Sequence, residues 1–190
     1  MPRIAIISAS VREGRKSHRV AQHLQRTIDA MPDHSADMLD LKEFAFPLFE
    51  ERLSHMKEPS AAIKDFADRI NAADGVIMVT PEYNGGIPAS LKNVIDLLTE
   101  AWKNKPIALS TVSSGNFGGS QVMVALLFTL WKIRAWVVPG PMQVPVIETN
   151  FDENGPIDKE AWDRRTKALL DQLFWAIEAK KRMDSTGAAS

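Results

Sequence analysis

Residues 75–80 read "GVIMVT". Four consecutive apolar side chains between a glycine and a threonine leave no polar face. A run of strand length without alternation suits a strand covered on both sides, and such strands lie at the centre of parallel sheets. The flanking chain agrees with that placement. Before it, Ser60–Ala73 carries Ile63, Phe66, Ala67 and Ile70 at helical spacing. After it, Pro88 suits the first position of a helix whose stripe is Leu91, Val94, Ile95, Leu98 and Trp102. Farther out, Arg3–Ser8 reads as a first strand. A helix from Ser17 to about Ala30 follows, with Val20, Leu24 and Ile28 on one face and Ser17 as its N-cap. Ser35–Leu41 is a weaker second strand, and Lys42–Pro59, with two prolines and several charges, is a long connection. Pro106–Val112 reads as the fourth strand, Gly119–Arg134 as the fourth helix and Ala135–Val138 as the fifth strand. Irregular chain follows through Gly155, and a fifth helix runs from Asp158 to about Lys180. Strand–helix alternation of this kind predicts a parallel sheet with helices on both faces. The expectation is one α/β domain over residues 1–183, with Asp184–Ser190 as a flexible tail. Ligands of such sheets bind beyond the carboxyl ends of the strands, near the switch point. The loops after strands one, three and four therefore become the candidate site.

Composition narrows the possibilities. A chain of 190 residues suits one domain, and 45% apolar with 25% charged residues is close to globular averages. The net charge of −1 provides no global field for nucleic acid or an anionic membrane. Without a cysteine, the chain has no disulfide, thiolate nucleophile or cysteine-bound metal. His18, His23, His34 and His55 lack metal-ligand spacing, so no metal site is expected. Neither a signal peptide nor a membrane-length apolar run is visible, and the expected location is cytoplasmic.

The first loop reads "SASVREGRKSH" over residues 8–18. Its polar groups fall at the start of the first helix, where exposed N–H groups and the helix dipole favour an anion. Ser10 and Ser17 offer hydroxyls, and Arg12 and Arg15 offer charge-assisted hydrogen bonds. A dinucleotide fingerprint needs three spaced glycines, and only Gly14 is present. The stretch from Ala9 to Ser17 misses the P-loop pattern by its first glycine and by one extra residue. A hydroxyl-and-arginine loop for a monophosphate remains, with a solvated turn as the alternative. The second loop, "TPEYNGGIPASLKN" over 80–93, is stiffened by Pro81 and Pro88 and freed at Asn84-Gly85-Gly86. With Tyr83, its backbone suits the edge and face of a planar heterocycle. An ordinary turn, with Glu82 pairing to a basic side chain, is the competing reading. The third, "SSGNFGG" over 113–119, again favours close backbone approach through Ser113, Ser114, Gly115, Asn116 and Phe117.

These motifs carry a resemblance. Ser10-x-Arg12 with Ser17, then Pro81-Glu82-Tyr83-Asn84 continuing as Ile87-Pro88-x-x-Leu91-Lys92-Asn93-x-x-Asp96, resembles the NADPH-dependent FMN reductase family, which includes chromate and quinone reductases. It covers about residues 3–140 and departs at Ala9 and at His18-Arg19. The resemblance implies a three-layer, flavodoxin-like, doubly wound sheet of five parallel strands in the order 2-1-3-4-5. It implies that Ser10, Arg12, Arg15, Ser17 and His18 surround an FMN phosphate. Pro81, Glu82, Tyr83, Asn84, Gly85 and residues 113–117 would then surround the isoalloxazine ring. NADPH or NADH would reduce the flavin, and a small acceptor such as free flavin or a quinone would take the electrons. The cofactor supplies the redox chemistry, so no catalytic side chain is required. A flavodoxin-like electron carrier and a cofactor-free interaction protein are the alternatives. Finally, Val122–Phe128 is apolar almost all round, although a helix packed on a sheet needs only one stripe. A homodimer built on helices three and four, possibly a tetramer, is expected.

Overall fold

The computed structural model describes residues 1–187. The elements are β1 (Arg3–Ser8), α1 (Ser17–Asp29), β2 (Ser35–Asp40), α2 (Leu41–Phe44), α3 (Ala61–Ala72), β3 (Gly75–Pro81), α4 (Ala89–Leu97), β4 (Pro106–Val112), α5 (Ser120–Lys132), β5 (Trp136–Val137), β6 (Met142–Val144), α6 (Ile147–Asn150) and α7 (Lys159–Ser185). The sheet order is β2-β1-β3-β4-β5, all pairs parallel, with β6 also on β4.

Strand β3 explains the layering. It is buried from Gly75 to Thr80, and its side chains alternate between two cores. Val76 and Met78, with Ala5, Ile7 and Leu109, face α3, α4 and α5. Ile77 and Val79, with Ile4, Ile6 and Ala108, face α1 and α7. In-register pairs such as Ile6–Ile77 and Ile77–Ala108 keep each face continuous across the sheet. The helix starts follow local chemistry. Ser60 caps α3 by accepting the Ile63 N–H at 3.3 Å, and Asp158 caps α7 by accepting the Ala161 N–H at 3.0 Å.

Several expected boundaries move. Ser17 is the first residue of α1, and Lys16 occupies the cap position without a side-chain bond. The long connection contains the short α2, started by the Asp40 carboxylate on the Lys42 N–H at 3.0 Å. The third helix of the sequence reading stops at Leu97, and Trp102 lies on a separate 3-10 turn. The fifth strand is only two residues long, and a sixth replaces part of the expected irregular chain. Pro139 and Pro141 flank Gly140 at that break. Proline has no N–H to extend a ladder, so β4 pairs first with Trp136–Val137 and then, past the jog, with Met142–Val144. Helix α7 continues to Ser185, beyond Lys180 and into the expected tail, of which residues 188–190 lie outside the described residues.

Gly75, the first residue of β3, lies tightly against α7. A Cβ placed there would lie 2.8 Å from Ile177 Cδ1 and 3.1 Å from Leu173 Cδ1. Gly75→Ala is therefore expected to destabilise the protein by about 1–3 kcal/mol through overpacking. Urea denaturation of both proteins checks this, and unchanged stability would mean that α7 shifts freely.

Candidate functional site

The loops after β1, β3 and β4 meet at the carboxyl edge of the sheet around a cleft of about 460 Å³. Ser10, Arg12, Arg15 and Ser17 line it from the first loop, Pro81, Glu82 and Tyr83 from the second, and Ser113, Ser114, Gly115 and Phe117 from the third. His18, Asn84, Gly85 and Asn116 are not part of this lining.

In the first loop, Arg15 forms a two-pronged ion pair with Asp40 at the end of β2 and donates to the Ser10 carbonyl at 2.7 Å. The Asp40 side chain is 3% exposed. Burial pushes its carboxyl up, but the bonds from Arg15 and the Lys42 N–H and the Arg15 charge outweigh this, leaving it below the ordinary value. Arg15 thus braces the loop against β2 and spends its charge on a protein carboxylate. His18 lies beneath the loop, with Nδ1 3.0 Å from Ser8 Oγ and 3.7 Å from Asp40. Burial, aided by the Arg15 charge, lowers its pKa despite Asp40. Arg12 is exposed, with its guanidinium 5.6 Å from the centroid of the Tyr83 ring. Lys16 at the cap position makes no side-chain cap hydrogen bond, so the start of α1, whose Ser17 lines the cleft, has its dipole uncompensated by its own cap.

The second loop is a tight turn. The Tyr83 N–H donates to the Gly86 carbonyl at 3.2 Å, and the Gly86 N–H donates back at 2.9 Å. Asn84 and Gly85 both have positive φ, 50° and 74°, as a type I′ turn requires. That puts Asn84 and Gly85 at the tip and Tyr83 at the base, where its hydroxyl lies 2.6 Å from Ser10 Oγ. Glu82 has a role the sequence did not reveal. Its Oε2 accepts the N–H groups of Gln121 at 2.9 Å and Val122 at 3.1 Å. Gly119, the N-cap of α5, has no side chain to do this.

The third loop turns through Gly118 and Gly119, whose φ values are 58° and 77°. Thr111 Oγ1 donates to the Gly118 carbonyl at 2.6 Å, and a Cβ on Gly119 would lie 3.0 Å from Thr111 Cβ. Phe117, 81% exposed, presents an apolar ring at the cleft. Lys16 and Glu148 also line the cleft, and neither was singled out from the sequence. Lys16 was visible as one charge among several in its loop. Glu148 lies on α6, inside a stretch that reads as irregular chain, and nothing in the sequence pattern marks it.

The model of the NADPH-dependent FMN reductase family matches residues 2–146. The chain belongs to that family. It is 32% identical over 158 residues to an NAD(P)H-dependent FMN reductase of Saccharomyces cerevisiae, covering 76% of this chain and 82% of that protein. It is 31% identical over 182 residues to a quinone reductase of Escherichia coli, covering 93% and 92% of the two chains. Among solved structures, the flavoenzyme NAD(P)H:(acceptor) oxidoreductase FerB from Paracoccus denitrificans matches with a TM-score of 0.77 at 20% identity, over 94% of this chain and 98% of that one. A flavodoxin from Pseudomonas aeruginosa matches with a TM-score of 0.56 at 20% identity, over 88% and 98%. These two likenesses carry the flavodoxin-like fold. The residues present fit the cofactor of the family: an uncapped helix start beside Ser10, Arg12 and Ser17 suits a phosphate, and Tyr83, Phe117 and two backbone-rich loops suit a planar ring.

The Arg15–Asp40 pair makes a stability prediction. Arg15→Met leaves a buried carboxylate without its partner and is expected to cost about 3 kcal/mol. Because the folded Asp40 pKa is depressed, the stabilisation is complete above the unfolded value of 3.8 and is lost as pH falls through the lower folded value. Urea denaturation at pH 7 and at successively lower pH checks both statements: the gap between wild type and variant narrows on acidification.

Proposed function

We propose that this cleft holds one FMN per chain, with the phosphate at the start of α1 and the isoalloxazine ring between the second and third loops. The protein is an NAD(P)H-dependent flavin oxidoreductase of the FMN reductase family. A bound FMN would supply the redox chemistry between NAD(P)H and a small acceptor. Relatives named FMN reductase and quinone reductase support free flavin and quinones as the acceptor classes. The observation that carries the reading is the convergence of all three loops on one cleft, with the first two joined by the Ser10–Tyr83 hydrogen bond of 2.6 Å.

The side chains then have distinct tasks. Ser10, Ser17 and the α1 backbone receive the phosphate oxygens. Arg12 supplies charge: among the described residues it is the one cation of this loop without a carboxylate partner, since Arg15 is held by Asp40 and Lys16 by Glu148. Tyr83 and Phe117 cover the ring, and Glu82 holds the second loop against α5. The Phe117 ring stays exposed until a planar partner lies against it. No proton transfer by a side chain is needed. A cytoplasmic setting agrees with NAD(P)H as reductant, and no helix among the described residues is long and apolar enough to cross a membrane.

A second copy of the chain is the partner this reading assigns. Val124, Leu127, Phe128 and Trp131 stand exposed at i, i+3, i+4 and i+7 along α5, beside the partly buried Trp136. Helix α4 does not share this surface. Leu91, Val94, Ile95 and Leu98 are all buried in the chain's own core, and Trp102 is fully buried with its indole N–H on the Ile95 carbonyl at 3.0 Å. The interface expected on helices three and four is therefore assigned to α5 alone.

Arg12→Ala is expected to weaken FMN binding by about 1.5–3 kcal/mol, the loss of one charge-assisted bond, while leaving stability near wild type. Flavin-fluorescence titration measures the affinity, and NADPH oxidation with a quinone acceptor tests the activity. Unchanged affinity would return Arg12 to the solvated-turn reading. Leu127→Glu is expected to give monomers or aggregates by light scattering, and a monomeric wild-type protein at micromolar concentration would refute the dimer.

A further inference from the structure

Glu148 forms an unexpected connection. Its Oε1 accepts from Lys16 Nζ at 2.7 Å and from Ser114 Oγ at 2.9 Å. One carboxylate oxygen thus ties the first loop to the third across the cleft that both line. The Lys16 and Glu148 side chains are 40% and 39% exposed. An ion pair so wet contributes little to stability, yet a phosphate has to compete with Glu148 for Lys16. The Lys16 hydrogen bond, the backbone N–H of Glu148 itself, Ser114 and the Lys16 charge together outweigh a slight burial cost and hold the Glu148 pKa at about 2. The carboxylate is therefore charged at neutral pH.

The location gives this pair a consequence. Lys16 is the residue before the first turn of α1, at the end of the cleft suited to a phosphate. A phosphate monoester brings a charge of about −1.5 to −2. Toward that charge, Lys16 attracts and Glu148 repels, and their nearness cancels most of the pull. Arg15 is already neutralised by Asp40. The first loop therefore carries three cations in sequence, yet offers the net attraction of about one.

We propose that Glu148 sets how firmly FMN is retained: by holding Lys16, it weakens the grip on the phosphate and leaves the grip on the ring unchanged. This rests on the reading of the cleft as an FMN site. The effect keeps the cofactor exchangeable, which suits an enzyme for which flavin is both cofactor and substrate class.

The test compares the flavin-stripped wild type with Glu148→Gln, titrated with FMN and with riboflavin, which has the ring and no phosphate. Glutamine keeps the shape and can still accept from Ser114. FMN is expected to bind about five- to tenfold more tightly to Glu148→Gln, the effect of freeing one lysine charge to face the phosphate in a solvated site. Riboflavin affinity is expected to stay within about twofold of wild type. In a Lys16→Met background most of the FMN gain should disappear. Equal FMN affinity in the two proteins, a parallel change for riboflavin, or a full gain without Lys16 would each overturn the proposal while leaving the FMN site standing. Failure of the wild type to bind either flavin would instead overturn the cleft reading, and this inference with it.

Discussion

Burial of β3 on both faces is the constraint from which the rest of the structure follows. Val76 to Val79 have no polar side that could face water, so both sides of the sheet must be covered by helices. Each face needs its own helix layer, and a chain that visits both layers must cross over between parallel strands. Parallel strands end on the same edge. The loops after β1, β3 and β4 therefore collect at one place, however far apart they lie in sequence, and the cleft is a geometric result of how the core is made.

Once gathered, the loops are held by polar contacts between them. Ser10 meets Tyr83, Glu82 reaches the start of α5, and Glu148 spans Lys16 and Ser114. These contacts differ in burial and therefore in what they do. Arg15–Asp40 is shielded from water, so it fixes backbone position, and losing either partner would strand a charge. Lys16–Glu148 is half exposed, so it adds little to stability but adjusts the electrostatics of the cleft. Two ion pairs in one loop thus separate into a brace and a regulator of attraction, on the single basis of solvent access.

The same principle separates the two apolar surfaces that the sequence presented as one. Trp102 and the α4 stripe satisfy themselves inside the chain, where the indole N–H finds the Ile95 carbonyl. The outer stripe of α5 has no such cover, because that helix already uses Val122, Leu126 and Leu130 to pack on the sheet. An amphipathic helix buries one side on its own sheet, and on α5 a second apolar side stays exposed.

Much of this was legible in the residues themselves. The apolar run at 76–79 and the helical stripes around it specified a parallel α/β sheet, because strand and helix periodicities differ and burial writes them into sequence. The Asn84-Gly85 turn was readable for the same kind of reason: two successive positive φ values restrict which residues fit. The motifs running from Ser10 to Asp96 carried the family. What only tertiary structure decided was partnership. Sequence shows that Arg15 and Lys16 are cations, but not that one meets a buried Asp40 and the other an exposed Glu148. It shows Glu82 as acidic, but not that a glycine cap 37 residues later leaves N–H groups for it to accept. Strand β6 stayed hidden because three residues after a Pro-Gly-Pro jog are too few for periodicity to register. Local preference is encoded residue by residue, whereas a charge acquires its role from whichever distant group the fold brings beside it, and from how much water remains between them.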